Sequence, residues 1–344
     1  MSVKKQSISL PSGFQVGGDQ TFIIAEIGSN FNQSWDLAIE SIDAAVESGA
    51  NAVKFQSINI DKLYWKPSQE TIELHKKIDL EESWHQKLKD HCDKRSITFF
   101  SSPTYLDAVD LLEAIDVPLY KLASAQIGTF PQIVRKVART HKPVIFSTGL
   151  VNDSELDKVV DIFEQEQNPN YMILYCNSIY PTPYHKIHFN LLEQYRQKYG
   201  KVVGFSDHSD GPYTAIAAVA RGAKIIEKHF AMDRNLPVPD AEFSLEPDDF
   251  KTMVEGIRIV EQTLNINERD HIETEETQFK ESIRTRLVLK KDVAKGKLVE
   301  ESDFNYLRHS EGVDCRELSS MISDGMSYRI SCSKGALLTK SNVS

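Results

Sequence analysis

The chain has 344 residues, an apolar fraction of 40% and a formal net charge of −10. That length holds one large domain plus a small one, and that composition is globular. The acidic balance argues against a duplex-wrapping nucleic-acid binder, and no apolar run approaches a membrane span.

An acidic surface still admits anionic small substrates where a pocket is locally basic. Cys92, Cys176, Cys315 and Cys332 are scattered and form no C-x-x-C pair. They read as reduced thiols of a cytoplasmic protein. The N-terminal MSVKKQSISL has no continuous apolar core, so no secretory signal is expected.

Residues 1–20 are polar and Gly-containing, the pattern of a short ribbon or tail. Short β-like runs then alternate with amphipathic stretches. Strands are expected at Phe22–Glu26, Ala52–Gln56, Ile97–Ser101, Leu119–Ala123, Val144–Thr148, Tyr171–Cys176, Val202–Ser206 and Ile225–His229. The first intervening stretch, Trp35–Ser48, places Leu37, Ile39, Ile42, Ala45 and Val46 at helical spacing, and Gly49 stops it. Comparable stretches follow the other strands, and the last helix is expected at Pro247–Leu264.

Eight such units over about 250 residues match a closed (β/α)8 barrel, an α/β TIM barrel. An open doubly wound sheet alternates in the same way, but the first βα turn, Gly28-Ser29-Asn30, lacks a dinucleotide fingerprint. The barrel is therefore assigned to residues 1–264. Residues 265–283 are charged, without Gly, Pro or a regular apolar stripe, and read as a partly helical linker. From Arg284 short β-runs and Lys-Gly turns mark a small β-rich domain, residues 284–344.

Barrel enzymes carry their chemistry at the C-terminal ends of the strands. Here those ends bear Glu26, Lys54 and Gln56, Ser101 and Ser102, Lys121 and Ser124, Ser147, Asn177 with Tyr180, Ser206 with His208, and His229. Lys54 and Lys121 interrupt apolar runs. A lysine is rarely buried unpaired, so each needs a carboxylate neighbour or a bound anion. Two lysines and several serines suit a phosphate and a carboxylate. His208 and His229, at the ends of successive strands and beside carboxylates, suit a divalent metal. The two lysines also leave open a Schiff-base aldolase or lyase. A barrel that binds an acidic sugar without turning it over is a third reading.

The blocks IAEIGSN, VKFQ, YKLAS, STG, IYPTP, GFSDH, EKHF and PDAEFSLEP, in this order, resemble those of the sialic acid (nonulosonic acid) synthases. The C-terminal segment, from LVLKKDVAKG to ISCSKGALLTKSNV, resembles that family's antifreeze-like SAF domain. The resemblance implies condensation of phosphoenolpyruvate with an N-acetylmannosamine-type sugar, giving a nine-carbon 2-keto acid and phosphate for a surface polysaccharide. A diacetamido-trideoxyhexose, the substrate of pseudaminic or legionaminic acid synthases, is the alternative, and Phe243 in DAEFSLEP is closer to the pseudaminic type. The cofactor implied is a divalent metal on His208 and His229: manganese, with magnesium or cobalt as alternatives.

Position by position, the resemblance assigns Lys54, Lys121, Ser124, Ser147 and Ser206 to phosphoenolpyruvate. It assigns Glu26, Gln56, Tyr180 and Asp240 to the sugar side. Arg308 matches an arginine that reaches into a partner's barrel, which implies a domain-swapped homodimer. Two departures stand out. Phe31 and Gln33 replace a usual His and Gly after IAEIG, and Ala125 and Gln126 replace a usual Gly and Glu after YK-x-x-S.

Overall fold

The computed structural model describes residues 7–264 and 271–344. The chain divides into two compact units, Met1–Ile266 and Asn267–Ser344.

The first unit opens with a hairpin of β1 (Ile8–Ser9) and β2 (Gln15–Val16), within the stretch read as a ribbon. Eight parallel strands follow: β3 (Phe22–Gly28), β4 (Ala52–Ser57), β5 (Thr98–Pro103), β6 (Tyr120–Leu122), β7 (Val144–Ser147), β8 (Tyr171–Cys176), β9 (Val203–Asp207) and β10 (Ile225–His229). Their order in the sheet is β5-β4-β3-β10-β9-β8-β7-β6, and β5 and β6 meet at the closing seam. This is a (β/α)8 TIM barrel, as the count of alternating runs indicates.

The helices outside it are α1 (Trp35–Glu47), α2 (Ile60–Leu63), α3 (Gln69–Ile78), α4 (Trp84–Lys94), α5 (Leu106–Ala114), α6 (Ser124–Thr129), α7 (Pro131–Ala138), α8 (Asp153–Gln165), α9 (Asn190–Tyr199), α10 (Tyr213–Ala220) and α11 (Pro247–Leu264). Local chemistry explains their starts: the Ser34 hydroxyl accepts from the Leu37 N–H, and Asn152 with Glu155 forms a capping box. The helices α2, α3 and α6 have no counterpart in the expected pattern. They are short or polar on most faces, so their apolar periodicity is weak.

Strand alternation decides what faces the barrel axis. Phe22, Ile24, Ala52, Phe100, Leu119, Ile145, Met172, Leu174, Val202 and Ile225 form one apolar cluster inside, with Leu10 and Val16 of the hairpin. The intervening residues, such as Ile23, Val53, Phe99, Tyr120, Phe146 and Phe205, form the larger cluster against the helices. The inner row turns polar towards the strand ends, and that change creates the site.

Gly204 faces inward where the row is tightest. A Cβ there would lie 2.3 Å from the Ile225 carbonyl oxygen and 2.6 Å from Leu174 Cδ2. Gly204→Ala is therefore expected to destabilise the barrel by about 1–3 kcal/mol or more, through overpacking against backbone. A fall in the denaturant midpoint reads this out, and an unchanged midpoint would contradict this packing.

The second unit, taken by itself, contains α12 (Thr274–Ser282), the antiparallel pair β11 (Thr285–Leu289) and β12 (Phe304–Arg308), and α13 (Leu318–Ser323). Leu287, Leu289, Phe304, Tyr328 and Leu338 centre its small core. The buried Asp303 carboxylate is met by Lys297 at 2.7 Å and Lys291 at 3.0 Å. Of the stretch read as a linker, residues 265–270 lie outside the described residues, and most of the remainder is α12. No helix among the described residues is long and apolar enough to cross a membrane.

Candidate active site

The polar ends of the inner rows converge on a cavity of ≈ 420 Å³ at the C-terminal end of the barrel. A larger cavity, ≈ 730 Å³, opens at the opposite end between the hairpin and the strand starts. Its charges are already paired, Lys89 with Asp93 and Lys142 with Glu113 and Asp116. The C-terminal cavity, by contrast, gathers several buried groups with unspent hydrogen-bonding capacity.

Its floor is an alternating set of buried charges. Lys54 lies 2.7 Å from Glu26 and 3.7 Å from Glu227, and Lys121 lies 3.3 Å from Glu227. All four side chains are at most 5% exposed. Gln56 donates to Glu26 at 2.8 Å, Ser206 to Glu227 at 2.9 Å, and Lys54 to Ser102 at 3.4 Å.

Burial opposes charge on every one of these groups, and their neighbours settle the outcome. For Lys54, the nearby Glu227 and Glu26 outweigh burial and hold the ammonium above its ordinary value. At Lys121 burial is the largest influence and lowers its value, with Lys54 adding to the fall and Glu227 chiefly opposing it. Glu227, between the two ammonium groups, stays below the usual carboxylate range despite its burial. Burial raises Glu26 above that range, with Glu227 adding to the rise and Lys54 opposing it. Of the two carboxylates, Glu26 is thus the one fitted to carry a proton.

Ser124, Ser147 and Cys176 line the wall beside Lys121. The Gly149 N–H donates to Ser124 Oγ at 2.9 Å. Ser147 Oγ is buried without a hydrogen-bond partner, as is Gln126 Oε1. Both atoms are free to bond to water or to a ligand in the cavity.

His208 and His229 stand at the rim with ring centroids 5.3 Å apart. His208 Nδ1 lies 2.7 Å from the Asn177 carbonyl oxygen. Burial opposes charge on the ring, but Cys176 and that carbonyl outweigh it and hold His208 above its ordinary value. In the neutral form with Nδ1 donating, Nε2 offers a lone pair. His229 is held neutral, chiefly by burial and then by the charge of nearby His208 and Lys54. Its Nδ1 is buried without a hydrogen-bond partner, 3.6 Å from Asp240 Oδ2. Tyr180 covers His208 at 4.3 Å between centroids, and Phe243 packs edge-on to His229 at 5.0 Å.

The neutral His229, His208 in its neutral form and the Asp240 carboxylate fit a divalent cation in donor chemistry. Among the described residues, no group of three or more His, Cys, Asp or Glu is placed to hold an ion by itself. A cation held by this set would keep positions open to water or substrate, as catalytic sites do.

The structure brings together Glu26, Lys54, Gln56, Lys121, Ser124, Ser147, Tyr180, Ser206, His208, His229 and Asp240. Ser101 is a correction. It faces the helices, bonded to Ser57 Oγ at 2.8 Å and to the Phe55 carbonyl oxygen at 3.1 Å, and Ser102 takes the place in the cavity. The reason is alternation: Phe100 points inward, so Ser101 points out. Arg308 lies on β12 of the second unit and is exposed.

The departure at residue 31 is structural, because Phe31 is fully buried against Phe55 and Trp84. Gln126, by contrast, lines the cavity. Glu227 escaped the sequence reading, although it lies two places before His229 on the same strand. That spacing is the signal that would have found it.

The NeuB family matches residues 41–269. Over 317 residues the chain is 33% identical to a pseudaminic acid synthase of Campylobacter jejuni subsp. jejuni, covering 87% of this chain and 91% of that protein. It is 30% identical over 309 residues to the N,N'-diacetyllegionaminic acid synthase of the same subspecies, with 86% and 92% covered. The crystal structure of N-acetylneuraminic acid (sialic acid) synthetase from Leptospira borgpetersenii serovar Hardjo-bovis, in complex with citrate, superposes with a TM-score of 0.73. It is 31% identical and covers 81% of this chain and 97% of that one.

Proposed function

The chain belongs to the NeuB family, and on that premise we propose that it condenses phosphoenolpyruvate with an open-chain N-acylated hexosamine, releasing phosphate and a nine-carbon 2-keto acid. The observation that carries this is the cavity itself. Two buried lysines and a set of serines, groups suited to anions, line one cavity with a pair of histidines.

Lys54 and Lys121, with Ser124 and Ser147, hold the phosphate and carboxylate of phosphoenolpyruvate. Glu227 keeps the two ammonium groups apart and paired before the substrate enters. The methylene carbon then bonds to the aldehyde carbon, whose oxygen takes a proton from Glu26. Water adds at C2 and returns one proton to Glu26. The bond from C2 to the phosphate oxygen then breaks, the remaining hydroxyl proton leaves with the phosphate, and the 2-keto group remains. Lys54 and Lys121 meet the charge on the departing phosphate. Gln56, Tyr180 and Asp240 face the sugar. His208 and His229, beside Asp240, would hold a divalent cation (manganese, magnesium or cobalt), which supplies Lewis-acid polarisation of a carbonyl.

We read the second unit as an antifreeze-like SAF domain that delivers Arg308 to the sugar in a partner's barrel, so that the working form is a homodimer in the cytoplasm. A diacetamido-trideoxyhexose is a second reading of the sugar. Phe243 beside His229 favours it, as do the pseudaminic and legionaminic acid synthases among the relatives. Phosphate release from phosphoenolpyruvate, assayed with N-acetylmannosamine and with diacetamido-trideoxyhexoses, tests both readings. No sugar-dependent release with any of them would reject the synthase. A borohydride-trapped adduct at Lys54 or Lys121 without phosphate release would establish the Schiff-base alternative.

Lys121→Met is expected to raise the KM for phosphoenolpyruvate about 10- to 150-fold and that for the sugar much less. Losing one charge-assisted contact costs about 1.5–3 kcal/mol. An unchanged KM for phosphoenolpyruvate would remove Lys121 from the anion site.

A further inference from the structure

Behind the two histidines, on the helix-facing side of the sheet, lies a second buried ion pair that the proposed reaction does not use. Lys228 and Asp207 are direct partners across the β9–β10 ladder, and neither side chain exposes any surface. Lys228 Nζ donates to Asp207 Oδ2 at 3.0 Å and also to the Ser209 carbonyl oxygen. Asp207 Oδ1 accepts from the Ser209 N–H at 2.9 Å and from its hydroxyl at 2.7 Å. Asp207 Oδ2 accepts in addition from Thr214 Oγ1 at 2.7 Å, in the first turn of α10.

Every charge in this cluster is satisfied, yet a buried ion pair is weak grounds for stability. A well-packed apolar pair in its place is often as stable. What the pair does supply is direction. Its bonds clamp the main chain on both sides of His208, through the Asp207 side chain and the Ser209 backbone. They tie that segment to Lys228, the residue immediately before His229. Alternation then sends both imidazoles to the opposite face, into the cavity.

We propose that Asp207 and Lys228, with Thr214, are positioning residues that set the separation and aim of His208 and His229 for a divalent cation. The proposal rests on the two-histidine metal reading above. Neither Asp207, Lys228 nor Thr214 lines the cavity, so their effect is exerted through the backbone.

The test is Mn2+ affinity, measured by titration calorimetry on the full-length protein without substrate, beside the melting temperature. The variants are Asp207→Asn/Lys228→Met, which leaves no unpaired charge, and Thr214→Val, which removes the bonds of the Thr214 hydroxyl to Asp207 Oδ2 and Ser209 Oγ and no charge. The double variant is expected to melt close to wild type and to bind Mn2+ about tenfold or more weakly, the size of effect seen when groups supporting metal ligands are lost. Thr214→Val is expected to weaken Mn2+ in the same direction by about three- to tenfold. A purely structural pair would change melting and leave affinity alone. Wild-type affinity in a double variant that melts normally overturns the proposal. Should the double variant melt far below wild type, Thr214→Val decides in the same way. Absence of Mn2+ binding by the wild-type protein would overturn the metal reading itself, and this proposal with it.

Discussion

His229→Ala is expected to lower kcat about a thousandfold and to leave the barrel folded. The ring faces the cavity from a strand end, and the backbone contact there, from the Leu245 N–H to the His229 carbonyl oxygen at 2.8 Å, does not involve the side chain. A Lewis acid at a developing negative charge contributes several kcal/mol, and each 1.36 kcal/mol is a factor of ten. His208→Ala is expected to behave alike, because on the proposed reading the two rings would serve one cation. Metal content measured on the purified variants, beside turnover and a melting curve, checks the claim. Wild-type turnover and metal content in either variant would show that the histidines hold no catalytic ion.

Arg308→Ala is expected to lose most synthase activity although the residue belongs to a different unit from every other proposed site residue. A planar guanidinium suits an acylamino carbonyl or a carboxylate on the sugar. Truncation after Ser282 is expected to leave a folded barrel with little activity, because the first unit has its own core. Mixing Arg308→Ala chains with His229→Ala chains distinguishes a partner's arginine from the chain's own. With random exchange, half of the dimers are mixed, and each of these holds one intact composite site, so about a quarter of wild-type activity is expected to return. If mixed dimers form and activity stays absent, Arg308 does not act across the dimer.

The barrel was legible because its signals are local. Tyr171–Cys176, Ile225–His229 and Pro247–Leu264 are bounded as expected, and the other barrel strands differ by one or two residues at their ends. Most of the site was legible for the same reason, since a polar residue interrupting an apolar strand near its end has few other places to go. Ser101 misled because it and Ser102 are adjacent serines, and only the phase of the alternation, set by Phe100 inside, separates them. Glu227 was missed because EKHF reads as a charged strand end, where a carboxylate beside a lysine resembles an ordinary surface pair.

The sequence by itself determined the count and order of the strands, which side chains share a face, and the polar character of one barrel end. Those properties follow from hydrophobic periodicity and backbone chirality, which act over a few residues. It did not determine which inward groups meet. Glu227 comes between Lys54 and Lys121 because β10 closes against β3 and brings the last strand beside the first ones. Lys228 finds Asp207 rather than a neighbour in its own segment because the β9–β10 register sets them opposite each other. Long-range register is a property of the closed sheet, settled by packing of the whole inner row, and so only the tertiary structure decided it.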